Sequence, residues 1–168
     1  LATSDRLTLT FGLGYEDIVA EERIGTRTTA GLRADYLLSD AASVYAFARG
    51  TVAETGLGAD DRYGLGGRTA LGGNGWSVAG ELSDGTAGAG GRLLAEYDDG
   101  AGGTRYLGYE LDPTRDLDGI SLVGRDQGRI IAGGRQAVTD RVSVFGENSY
   151  DIFGQHRTLT SAYGLTYA

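Results

Sequence analysis

The stretch Leu7-Thr8-Leu9-Thr10-Phe11-Gly12-Leu13-Gly14-Tyr15-Glu16 alternates without interruption between apolar residues and small or polar ones. In an extended chain this puts Leu7, Leu9, Phe11, Leu13 and Tyr15 on one side and Thr8, Thr10, Gly12, Gly14 and Glu16 on the other. A helix would need apolar spacings of three and four, and Thr and Gly at these positions disfavour one. The stretch is therefore a strand with one apolar face and one polar face.

The same alternation recurs along the chain. Leu32, Ala34 and Tyr36 alternate with Arg33 and Asp35, Trp76 and Val78 with Ser77 and Ala79, and Leu93, Ala95 and Tyr97 with Leu94 and Glu96. Ile130, Ala132 and Gly134 alternate with Gly133 and Arg135, and Val142 and Val144 with Ser143. In Val44 to Val52 the phase differs: Tyr45 and Phe47 share the face of Arg49. Period two thus predicts about ten strands, over 5–16, 24–38, 42–53, 61–72, 75–83, 89–98, 103–112, 127–138, 141–152 and 157–168. Short connections with turn chemistry (38–41, 72–75, 98–102, 139–140) alternate with generally longer ones (17–23, 54–60, 113–126). An up-and-down meander puts alternate connections at the same end, so one end is trimmed and the other elaborated, with both termini at the trimmed end. Leu107-Gly108-Tyr109-Glu110 echoes Leu13-Gly14-Tyr15-Glu16, and Thr139-Asp140 echoes Ser39-Asp40, a repeat of about 100 residues and too long for a solenoid unit.

Composition narrows the function classes. The 168 residues (17.5 kDa) suit one domain over 1–168. There are 30 Gly, one Pro and no Cys, and all 15 basic residues are Arg. Without Cys there is no disulfide, thiolate metal site or thiol nucleophile, and without Lys no phosphate-binding loop of the GKS/GKT type. A net charge of −8 argues against nucleic acid as the main partner. No run approaches the roughly 18 apolar residues of a transmembrane helix. The chain starts at Leu1 without a signal-peptide pattern and contains no Met, and so reads as a mature chain or a fragment.

Three features orient the faces. The polar face mixes Arg with carboxylates among small residues, which suits a crowded wet interior of paired charges. Tyr15, Tyr63, Tyr109 and Tyr150 lie toward the long-loop ends of the apolar stripes, and Tyr36, Trp76, Tyr97 and Tyr167 toward the short-turn ends. Two aromatic girdles around an aliphatic band are what a bilayer selects. The apolar face is almost uncharged, Arg105 at a strand start being the main exception. Apolar residues are thus expected outside, facing lipid. A soluble lipocalin-like ligand-binding barrel, with apolar residues inside, is the alternative.

In this pattern, and in segments such as Leu107-Gly108-Tyr109-Glu110 and Tyr150-Asp151-Ile152-Phe153-Gly154, the whole chain resembles Gram-negative outer-membrane β-barrel proteins of the porin-like type from GC-rich proteobacteria. The resemblance implies an all-β, antiparallel up-and-down transmembrane β-barrel of about ten strands. It implies the bacterial outer membrane as location, and lipid, lipopolysaccharide and the barrel-assembly machinery as partners. It also implies a structural or narrow-pore role for small solutes or ions, without enzymatic activity, cofactor or metal. Family members usually end on an aromatic residue, whereas here Tyr167 is penultimate. The chain is therefore also read as a segment of a larger barrel or a homo-oligomer.

The expected lumen-lining residues are Arg27, Arg33, Arg49, Arg68, Glu81, Arg92, Glu96, Glu110, Arg129, Arg135 and Glu147. About ten strands make a barrel that side chains nearly fill, so these charges should plug the interior or pass only small ions. Two further constellations carry chemistry. His156 with Asp151, and Asp60 with Asp61, match the residue types of ten-stranded outer-membrane proteases that act at the rim, a third reading beside a solvated loop histidine. Asp112, Asp116, Asp118 and Gly119 begin like a calcium loop, but Arg125 stands where the closing acid belongs. Both termini are expected to be periplasmic, and Arg115, Asp116 and Asp118 to be reachable from outside the cell, with protease cutting near Arg115 or Arg125.

Overall fold

The computed structural model describes residues 2–20, 23–117, 120–155 and 157–167. In chain order the strands are β1 (Ala2–Ser4), β2 (Leu7–Ala20), β3 (Arg23–Ser39), β4 (Ala42–Thr55), β5 (Arg62–Ala70), β6 (Trp76–Gly85) and β7 (Gly90–Asp98). They continue as β8 (Gly103–Leu111), β9 (Asp116–Leu117), β10 (Ile120–Ser121), β11 (Gly128–Ala137), β12 (Val142–Tyr150) and β13 (Leu159–Tyr167). Ten long strands (β2–β8 and β11–β13) form one antiparallel up-and-down sheet, and the short β1 pairs back on β2. The sheet is open, with β1 and β13 as its edges, and β9 and β10 form a separate hairpin. The only helix among the described residues is a 3-10 turn at Gly124–Gln127. The chain falls into two compact units, residues 1–67 with 81–89 and residues 68–80 with 90–168.

In the first unit, β2 and β3 pair from Leu7↔Tyr36 to Ala20↔Arg23. The connection expected at 17–23 is therefore mostly ladder. Ile18, Val19 and Ile24 favour strand, and backbone pairing runs on past the point where side-chain alternation ends. In the second unit, β8, β11, β12 and β13 pair in uninterrupted register, for example Ile130↔Tyr109 and Ile130↔Tyr150. The expected long loop at 113–126 is also partly ordered, holding β9, β10 and the 3-10 turn.

Glycine lets rings lie flat on neighbouring strands. The Phe47 ring covers Gly64, and the Phe145 ring covers its register partner Gly164, where a Cβ would collide with it. The turn after β7 needs positive φ at Gly100 (69°) and Gly102 (84°). Asp99 fixes that turn by accepting the Ala101 and Gly103 N–H groups, both at 2.8 Å.

Many large apolar side chains of the strands stand exposed. Leu13 is 87 % exposed, Tyr163 73 %, Phe11 69 % and Leu65 63 %. Among the described residues the buried large apolar side chains are Leu57, Leu94, Leu122 and Ile131. Leu94 and Ile131 lie on the polar side of the alternation, flanking Gly108 in the register of β7, β8 and β11. Aliphatic side chains therefore cover one side of the strands in each unit, and charged ones pair with each other on the other side.

Candidate functional site

The candidate site is the polar face, taken unit by unit. In the first unit, Arg27 at the loop end of β3 pairs with Glu16 on β2, donates to Gly58 O at 3.0 Å, and lies 3.6 Å from Asp60. Arg49 on β4 holds the same Asp60 at 2.6 Å. Asp61 accepts the Thr51 N–H at 2.7 Å. Nearer the short-turn end, Arg33 grips Asp35, two residues along the same strand face, at 2.8–3.0 Å. Its guanidinium lies 3.6 Å from the centre of the Tyr45 ring. Tyr45 then donates its hydroxyl to Glu81 at 2.6 Å. Arg62 approaches Glu81 at 3.9 Å and donates to Ser83 at 2.9 Å.

The second unit repeats this grammar. Arg68 on β5 donates to Ser77 on β6 at 2.9–3.0 Å and pairs with Glu96 on β7 at 3.0 Å, and Ser77 donates to Glu96 at 3.3 Å. Arg129 on β11 pairs with Glu110 on β8 at 2.7 Å. Tyr106 on β8 passes over Gly133 on β11 and donates its hydroxyl to Glu147 on β12. Arg135 donates its Nε to Ser143 at 2.9 Å. Arg92 and Arg135 have no carboxylate partner among the described residues.

Of the eleven residues expected to line an interior, nine are tied, within their own unit, to one another or to neighbouring carboxylates or tyrosines. Arg135 is held by a serine. Sequence reasoning missed the serines. Ser77, Ser83, Ser143 and Ser149 are all buried, and the first three are bonded to guanidinium groups. Their signal was position, each standing in the polar phase of its strand.

The real repeat differs from the one the sequence suggested. Tyr45 and Tyr106 are each the fourth residue of their strands, Glu81 and Glu147 the sixth, Ser77 and Ser143 the second. Arg68 and Arg135 are each third from the end. The block β4-β5-β6 therefore matches β8-β11-β12, with tyrosine, arginine, serine and glutamate in the same places. The echo between 107–110 and 13–16 is not the one that packing carries.

No family model, no curated protein and no solved structure matches this chain. Function is therefore argued from the geometry alone.

The long connection between β8 and β11 is held down. Arg115 donates to Asp126 O (2.7 Å) and Thr158 Oγ1 (3.0 Å), and lies 3.4 Å from Asp151. Its side chain is 12 % exposed and that of Asp151 0 %. Asp151 also accepts the Gly154 N–H at 2.7 Å. Arg115 is thus enclosed rather than reachable, a correction to the sequence expectation, because its guanidinium satisfies carbonyl and carboxylate oxygens at the ends of three strands. Of the proposed rim constellation, Asp151 and Asp60 are committed to arginines and Asp61 to a backbone amide, while His156 lies outside the described residues. Asp112 closes a local turn onto Thr114 (2.7 and 3.0 Å). Asp118 and Gly119 lie outside the described residues, and among the described ones no group of three potential ligands gathers for a metal.

The apolar face of the second unit carries a groove of about 540 Å³ between Val78, Leu93, Leu107, Tyr109, Ile130 and Phe153. Tyr109 and Phe153 meet edge-on at its loop end, ring centres 6.0 Å apart. Trp76 and Tyr97 meet at the short-turn end, 5.1 Å apart.

Proposed function

We propose that the chain forms a β-barrel wall in a bacterial outer membrane, closed on itself or completed by further strands, with a structural or narrow-pore role. The observation that carries this reading is the inversion of faces: large aliphatic and aromatic side chains stand exposed while arginine–carboxylate pairs pack together. Exposed apolar surface on this scale is costly in water and favourable in lipid. Strand length agrees. Strands of nine or ten residues (β5–β8 and β11–β13) extend ~30–33 Å. Tilted by about 40°, they match an apolar band ~25 Å tall. Hydrocarbon also requires every backbone polar group to be paired, so the edges β1 and β13 must find partners. The groove between Leu93, Ile130 and Phe153 suits an acyl chain.

Passage through such a wall would be governed by the polar face. Arg27, Arg33, Arg49, Arg68 and Arg129 are neutralised by carboxylates, which leaves fixed dipoles rather than free charge. Arg92 and Arg135 are not, but Glu147 likewise has only the Tyr106 phenol among the described residues, so a pore here would carry nearly balanced free charge and select weakly between small ions. Planar-bilayer conductance tests this. A small, weakly selective conductance is expected, with anion permeability lowered relative to cation permeability in Arg92→Gln. Absence of channels would refute the pore role and leave the structural one.

A further inference from the structure

The two copies of the serine–arginine motif differ in one place. In the first, Ser77 stands beside Glu96 on the next strand, and the carboxylate takes both the Arg68 guanidinium (3.0 Å) and the Ser77 hydroxyl (3.3 Å). In the second, Ser143 stands opposite Thr166 on the next strand. The carboxylate is missing, and in its place is a cavity of about 250 Å³ where Arg135, Ser143 and Thr166 meet Thr139, Asp140 and Arg141 of the turn, beside Ala137 and Val142.

The cavity is rich in donors. Among the described residues Arg135 bonds only through its Nε, to Ser143, which leaves both terminal nitrogens available to donate. Ser143 accepts that bond, which leaves its own O–H to donate, and it is buried. Thr139 Oγ1 accepts the N–H groups of Arg141 (3.2 Å) and Val142 (3.0 Å), so its proton is also free. The Arg141 guanidinium makes no bond among the described residues. Among the described residues of the lining, the one carboxylate is Asp140. We propose that this cavity, at the short-turn end between β11, β12 and β13, binds a small oxyanion, a phosphate or a short carboxylate, whose oxygens take the place that Glu96 fills in the first copy. The fork of Arg135 suits two oxygens of one group, and Arg141 supplies the second charge. This site does not depend on the membrane reading, since it rests on the comparison between two copies of one motif.

The test is titration of the folded protein, in detergent or buffer, with inorganic phosphate and separately with succinate, against chloride at equal ionic strength, followed by calorimetry. Saturable binding of either oxyanion is expected, at least tenfold weaker in Arg135→Gln. The deciding variant is Thr166→Glu, which restores the first copy's carboxylate. It should fold, keep or raise the thermal midpoint, and lose oxyanion binding at least tenfold. Tighter binding of phosphate or of succinate identifies the class. No saturable binding of either, or binding in Thr166→Glu equal to that of the unaltered chain, would overturn the proposal. Binding equal to that of chloride would mean an adventitious ion only.

Discussion

Leu65→Arg separates a lipid-facing sheet from a water-facing one by magnitude alone. Leu65 is the fourth of nine residues in β5, 63 % exposed, beside Tyr63 and Leu82 on the apolar face. If that face meets water, an exposed leucine replaced by arginine changes stability by about 0.5 kcal/mol at most. If it meets the bilayer near its midplane, the same change costs about 2–4 kcal/mol, a factor of roughly thirty to several hundred in the folding equilibrium. The reciprocal change, Arg68→Leu, strips Glu96 and Ser77 of their cation and should cost about 1–3 kcal/mol in either medium. Both are read by urea unfolding in lipid vesicles, followed by tryptophan fluorescence from Trp76. The expected result is a loss of at least about 2 kcal/mol for Leu65→Arg. A Leu65→Arg protein as stable as the unaltered one, beside a destabilised Arg68→Leu, would mean that the faces are the other way round.

Trypsin should cut the folded protein at Arg125, which is exposed, and spare Arg115. In Arg115→Gln, which leaves Asp151 buried without its cation, cleavage at Arg125 should accelerate several-fold as the connection comes loose. Tyr106→Phe and Glu147→Gln should couple by about 1.5–3 kcal/mol in a double-mutant cycle, because the phenol donates to a charged acceptor. Additive effects would show that the pair is not formed. The Ala101 and Gly103 amides, which bond to the charged form of Asp99, hold its carboxyl below the usual aspartate value. Its contribution to the turn is therefore complete above the unfolded aspartate pKa of about 4 and is lost as pH falls through the lowered folded value. A carbon-detected NMR titration of Asp99 should show that lowered midpoint, and Asp99→Asn should flatten the acid dependence of the turn's amide exchange.

The strands were legible because their signal is local. Alternation such as Leu93-Leu94-Ala95-Glu96 needs no knowledge of neighbours, and β7 and β8 start and stop within a residue or two of where period two places them. The ladder at Asp17–Ala20 was not legible. Backbone groups pair there whatever the side chains do, and Glu21-Glu22 reads as a turn. The membership of the polar face was legible for the same reason as the strands, since period two assigns every residue a side. Its partners were not. That Arg33 caps Tyr45, or that Tyr106 reaches Glu147 over a glycine, depends on register across strands far apart in sequence. The enclosed Arg115 was misread because acidic, turn-rich segments are usually solvated. Nothing local announces a carboxylate at Asp151 waiting for it.

The central claim is that this sheet is built for lipid, and whether it folds without lipid tests it most directly. Far-ultraviolet circular dichroism and gel filtration of the purified chain, in plain buffer and in detergent micelles or vesicles, decide the matter. The account predicts a strand spectrum and a single defined species only when detergent or lipid is present, with aggregation or unfolding without it. A folded, monodisperse monomer in plain buffer would contradict it and would favour a soluble barrel instead.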